Sequence, residues 1–518
     1  MIARLTMFSL TVSTLALLSL APAGCGGGDG GGGGGDNFVE PPFTNPLPEQ
    51  ATFTDDDIRH LLSRTQFGVT TTEFNLCKSQ GVLTYIDNMT RFPTSTQGYE
   101  NGAVAQVVDW KKPSYSEVVY YWTHIMQFTT EPFQEHLAMF WHDHFATSQN
   151  VLDTQSRRWM PTHIDLLRHK GNGNLRELLY KLATDPVMLV WLDGIYSTKY
   201  APNENFAREF WEIFSLGADN GYTQADIEEA AKCFTGWRTR YDATADLTYM
   251  EFDPTRHDTT NKTFFGQTIT GRSGNNAYLE YQDVVDVTLS ARGTQVSEYI
   301  VKRLWEHYVY PNPDVSAIIT PLATLLRTGN WELRPILKAM FRSQAFYSSQ
   351  SKDTGFIKDP VEMFIGFSRS TGLFTSRSTL YSELNNAAQL PAVPPTVFGW
   401  PPGEAWLSSQ GVVERANYTR EAIRYRTGSP SAYVYNVADK MPPVGQRSDA
   451  QVVDWYIDLL RLKPSATERQ TYIDYLNNDY NGTAVIADPW DPLLQTQLDK
   501  KVRGLLYMMA QHPTYYVR

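Results

Sequence analysis

Apolar positions along this chain recur mostly at helical spacing. Ile227, Ala230, Ala231 and Phe234 fall at i, i+3, i+4 and i+7, follow Thr223 and Asp226, and stop before Gly236. A hydroxyl three residues ahead of a carboxylate can satisfy the first free amides of a helix reciprocally, so this stretch predicts a capped helix. Ser465 and Glu468 repeat the signal ahead of Tyr472, Ile473 and Leu476, and Asn330 opens a third helix carrying Leu333, Ile336, Leu337 and Met340. Alternating strand patterns are scarce. The exception is 247–274, where β-branched and glycine-rich pieces predict a small surface hairpin or long loop. A proline- and tryptophan-rich stretch, 391–411, predicts an ordered loop. The expected fold class is mainly α: a large multi-helix globular body with a small irregular or β-hairpin insertion and long ordered loops. A helical core is expected over 51–350, with a C-terminal helical part over 351–518 packed on it.

The N-terminus departs from this pattern. Arg4 precedes a leucine-rich run that ends near Leu20, the charged start and short apolar core of a secretory signal over 1–24. Pro22-Ala23-Gly24-Cys25 then resembles a lipoprotein cleavage site, and the glycine tract 26–35, interrupted by Asp29, fits a flexible tether before a proline-rich lead-in to residue 50. These features predict export, either as an outer-membrane or periplasm-facing lipoprotein anchored at Cys25 or by ordinary secretion. Cys77 and Cys233 are the other two cysteines; nothing in the sequence decides whether they pair.

Composition removes whole classes of function. With 45 basic and 56 acidic side chains the formal net charge is −11, and no basic run is present to track a phosphate backbone, so nucleic acid is not expected as a partner. Three cysteines supply no CxxC pair, no haem attachment site and no iron–sulfur set. No nucleotide-binding GxxxxGK[ST], GxSxG or HExxH occurs either.

Three segments concentrate chemistry. The first holds His136, His142, Asp143 and His144. A helix through all of it puts His136, Asp143 and His144 beside Phe133, Leu137 and Phe140, with His142 opposite; a helix ending before His142 instead leaves an extended His-x-His, a frequent metal arrangement. In the second, Phe206, Phe210, Ile213 and Phe214 form an apolar stripe, and Glu204, Arg208 and Glu212 form a possible ion-pair ladder on the other side. Glu209 flanks the stripe, so it is expected to be partly buried and to seek a histidine, an arginine or a metal. The third is His257-Asp258 with Lys262, in the irregular region.

Trp141-His142-Asp143-His144-Phe145, the run from Asn203 to Glu209, the run from Gly221 to Asp226, Thr235-Gly236-Trp237 and His257-Asp258 with Lys262 resemble, in that order, the bacterial family called domain of unknown function 1800. The likeness extends from about Ile58 through Val397-Phe398-Gly399-Trp400 to the closing Pro513-Thr514-Tyr515-Tyr516-Val517-Arg518. It implies an exported, largely helical protein whose relatives are often encoded beside another secreted family, which makes a secreted protein a candidate partner. It brings no catalytic role with it.

Two functions follow as expectations. One is an envelope enzyme, a hydrolase or lyase acting on an extracellular polymer such as polysaccharide, with His142, His144, Glu204, Arg208, Glu209, His257 and Asp258 gathered in one cleft. A divalent transition metal on His142, His144 and Glu209 is a variant of it. The other is a noncatalytic envelope scaffold or binding protein in which the same residues form a buried structural network.

Overall fold

The computed structural model describes residues 43–93, 98–424, 440–480 and 482–518. The signal sequence, Cys25 and the glycine tract therefore lie outside the described residues. Residues 45–518 form one compact unit. The unit is mainly α, with only two-stranded sheets. Among the described residues no helix is long and apolar enough to cross a membrane.

Local signals explain most helix starts. Thr223 accepts from the Asp226 amide while the Asp226 carboxylate accepts from the Thr223 amide, opening the helix Gln224–Cys233; Ser465 and Glu468 do the same for Ala466–Asn477. The helix assigned to Asn330 begins instead at Leu333, because Asn330 and Trp331 both take left-handed backbone angles and form the preceding turn.

Two helices are buried on almost every side and so define the centre of the molecule. Pro132–His144 leaves only Asp143 partly open, and every residue of Pro360–Thr371 is buried. The first packs on Asp55–Thr65, Tyr115–Phe128 and Trp159–Lys170. The second packs on Tyr115–Phe128 and Ser409–Ile423, which is how the C-terminal part closes on the rest. Where the turn after Asp55–Thr65 crosses the second helix, Gly68 has φ +76° and a Cβ there would sit 2.7 Å from the Gly366 carbonyl, so no other residue fits without displacing backbone.

The irregular insertion is larger and more ordered than the pattern predicts. It comprises two antiparallel hairpins, Trp237–Asp242 with Leu247–Phe252 and Lys262–Phe264 with Gln267–Ile269, and the first starts ten residues early. Most of Trp237–Asp242 is solvent-exposed, so it carries no apolar alternation to betray it. A third hairpin, Asn478–Tyr480 with Val485–Ala487, is likewise exposed on its second strand. Cys77 and Cys233 are separate buried thiols.

Candidate functional site

The helix Pro132–His144 runs through His144, which decides the geometry of its histidines. Two residues apart on a helix is about 200°, so His142 and His144 point to different neighbours. His142 packs among the rings of Trp122, His163 and Trp400, with neither ring nitrogen hydrogen-bonded. Burial, then His163, holds it neutral, well below the ordinary imidazole range. His144 lies on the other side, its Nε2 3.1 Å from the Phe214 carbonyl; burial and then Arg303 push its pKa down to about 3. Neither shares a ligand position with Glu209.

Glu209 itself is half-buried, as its place on the stripe predicts, but the expected partner is missing: its Oε2 has none among the described residues. Burial, followed by Glu212, raises its pKa. Among the described residues, no three His, Cys, Asp or Glu side chains are placed to hold a metal ion, so the set His142, His144 and Glu209 is not a metal centre in this geometry.

The remaining predicted residues also stay apart. Glu204 and Arg208 pair at 3.3 Å on the surface and share Gln224, which bonds both. Arg208 makes no ion pair with Glu212 among the described residues, because the helix widens into a π turn at Phe210–Ser215 and breaks the i+4 register. Asn203 caps this helix and ties it to the carbonyls of Leu192 and Asp193. His257 is buried elsewhere, its Nδ1 2.8 Å from the Thr235 carbonyl and its Nε2 3.3 Å from Glu280. Lys262 is fully buried, 2.7 Å from the other oxygen of Glu280, while Asp258 turns its carboxylate onto Thr260 and lies 3.6 Å from Lys262. The seven residues are therefore distributed over separate places in the fold, with Glu204 and Arg208 in a surface pair and His257 beside the buried Lys262–Glu280 pair.

What the structure does assemble is a cavity of about 420 Å³ against the other face of the Pro132–His144 helix. His136, Phe140 and Asp143 project into it from i, i+4 and i+7. Arg303 and His307, also i and i+4, come from the helix Gly293–Tyr308, Asp359 and Glu362 from the start of Pro360–Thr371, and Arg518 is the last residue of the chain. Trp400 and Trp406 close it from the predicted ordered loop.

The polar groups of the cavity divide into two sets. Glu362 is 2.7 Å from Arg518 and 3.3 Å from the Nε2 of His136, and its second oxygen accepts from the Asp359 amide. Burial alone would raise Glu362; Arg518, and then His136, outweigh it and hold the carboxyl well below the usual range. Its neighbour moves the opposite way: burial and the Glu362 charge push Asp359 up to about 7. This set is internally paired.

The second set is not. Asp143 accepts a 2.8 Å hydrogen bond from the Trp400 amide, yet burial outweighs both this bond and the Arg303 charge, and its pKa is pushed up to about 6. Gly399 makes the contact possible, since with φ +78° a Cβ there would lie 2.1 Å from Asp143 Oδ1. Arg303 forms no hydrogen bond or ion pair with any described residue, and its Nε is buried. The Nε2 of His307 and the Nε1 of Trp400 are also buried without hydrogen-bond partners among the described residues. Burial, then Arg518 and His136, hold His307 neutral.

The fold is thus a helical unit whose central helices enclose an aromatic-walled cavity rich in titratable groups. The chain belongs to the family described as Protein of unknown function (DUF1800), which it matches over residues 60–517. No curated protein and no solved structure matches it.

Proposed function

We propose that the protein is an exported enzyme that performs acid–base chemistry in the Asp143 cavity, a hydrolase or lyase acting on an extracellular polymer such as polysaccharide. One observation carries this reading: Arg303, His307 and Trp400 line a single cavity, and each has a buried side-chain nitrogen with no partner among the described residues. Leaving such a group unpaired costs about 1–3 kcal/mol, so these nitrogens are available to a guest in the cavity, whether water or a ligand. Asp143 is the proton-transfer group. A carboxyl near pH 6 gives up and regains a proton at neutral pH far more readily than an ordinary aspartate. His136, Glu362 and Arg518 fix the wall behind it, and His142 packs behind Trp400. The leader, Cys25 and the glycine tract support an anchored, extracellular setting.

The alternative scaffold reading has its own support at the motif residues, where Lys262 and Glu280 form a fully buried pair. It applies to that cluster, whereas the cavity nitrogens of Arg303, His307 and Trp400 make no such pair among the described residues. The test is release of new chain ends from a panel of neutral and acidic polysaccharides by the full-length protein, with Asp143→Asn as control. Cleavage that the variant loses supports the reading; no cleavage, or equal cleavage by the variant, overturns it.

A further inference from the structure

The cavity's charges are unevenly matched, and the mismatch points to what enters it. Four carboxylates and two arginines line it. Arg518 is committed to Glu362 at 2.7 Å and its backbone amide to the Phe356 carbonyl. Arg303 is committed to nothing: it is attracted to Asp143 through space but forms no ion pair with it, and its Nε is buried without an acceptor. A guanidinium is a planar fork whose natural complement is a planar carboxylate, bound through two parallel hydrogen bonds. Glu362 is offset by Arg518, Glu306 lies 3.8 Å from Lys302, and burial favours the neutral forms of Asp143 and Asp359, so Arg303 is left to balance one added negative charge but not the two of a dianion such as phosphate. The rest of the wall is aromatic, with Phe67, Phe140, Trp400 and Trp406 around the space, which suits the apolar face of a ring bearing polar groups at its edge.

We propose that Arg303 receives the carboxylate of an acidic sugar, so that the cavity binds uronate residues in preference to their neutral counterparts. This narrows the polysaccharide reading given above and rests on it for the choice of a sugar; the carboxylate preference itself rests on the unpaired Arg303. His307, one turn along the same helix, and the Trp400 indole then supply donors to ring oxygens.

Binding separates this inference from catalysis. Calorimetric titration of the full-length protein with D-glucuronate and D-glucose is expected to show glucuronate binding at least about 10-fold tighter, the size of one charge-assisted pair. Arg303→Gln should weaken glucuronate by a similar factor and leave glucose unchanged, with an unaltered melting temperature because Arg303 anchors no other side chain. Arg303→Lys keeps the charge but not the fork and should fall between the two. Equal affinity for the two sugars, unchanged glucuronate affinity in Arg303→Gln, no binding of glucuronate, or competition by inorganic phosphate as strong as by glucuronate would each overturn it. Asp143→Asn that still binds glucuronate while no polymer is cleaved by the wild type would retain this inference and discard the enzymatic one.

Discussion

The His257 cluster and the Asp143 cavity are built from the same groups, imidazoles and carboxylates with a cation, but they spend their bonding capacity differently. Around His257, Lys262 and Glu280 are both fully buried and face each other at 2.7 Å, the histidine spans a carbonyl and the same carboxylate, and Glu280 also accepts from the Arg272 amide. Around Asp143, by contrast, Arg303 forms no ion pair among the described residues, and His307 and Trp400 each keep a buried ring nitrogen without a hydrogen-bond partner there. The lesson is that a dense run of polar residues can be consumed by its own ion pairs, whereas a cation left without one beside a cavity keeps its capacity for a guest.

That contrast can be broken from either side. The largest effect is expected from Lys262→Met, which leaves Glu280 buried without its cation: unfolding stability should fall by about 3–5 kcal/mol in a urea titration, and a loss below about 1 kcal/mol would mean the cluster is not a structural pair. Asp143→Asn is expected to lower turnover of a cleaved polymer by about 100-fold or more while the protein remains folded, since the amide keeps the bond to Trp400 but carries no exchangeable carboxyl proton. A smaller effect on pH dependence follows from the same residue. Its pKa is raised in the fold from 3.8 to about 6, so the folded state prefers the protonated form and loses stability as pH rises through that window. Melting curves of Asp143→Asn should lack that part of the slope and show a gain on the order of 2 kcal/mol at pH 7, with the Asp359 contribution to the slope remaining. The smallest effect belongs to Arg208→Gln, on an exposed pair, where stability and turnover should both change by less than about 0.5 kcal/mol. A marked loss of turnover there would return the Glu204 helix to the reacting centre.

Legibility in the sequence followed the range of the physics involved. Caps at Thr223 and Ser465 act over three residues and were readable, as were the predominance of helix and the ordered loop around Trp400. His136 and Asp143 were visible as polar groups on an apolar face, which is where the cavity lies. Arg303 with His307, Glu362 and Arg518 were not, because they come from three separate stretches of chain with little polar density around each. A signal did exist at 303 and 307: a cation and an imidazole one turn apart, interleaved with Ile300, Leu304 and Tyr308, place polar groups close to a core face. The dense motifs drew attention instead, and they turn out to be an N-cap at Asn203, a surface pair at Glu204 and Arg208, and a buried pair at Lys262. The exposed first hairpin strand failed for a separate reason, having no buried face to pattern.

The cavity is walled by Phe67 at one extreme and Arg518 at the other, with contributions from five stretches of chain between them. Such a site has no precursor: contacts this remote in sequence form late, after the intervening loops have closed, and no run of neighbouring helices contains enough of it to bind anything. Ligand binding to this protein would therefore register completion of the whole fold, and a fragment lacking either end would be expected to look helical by spectroscopy while remaining functionally silent.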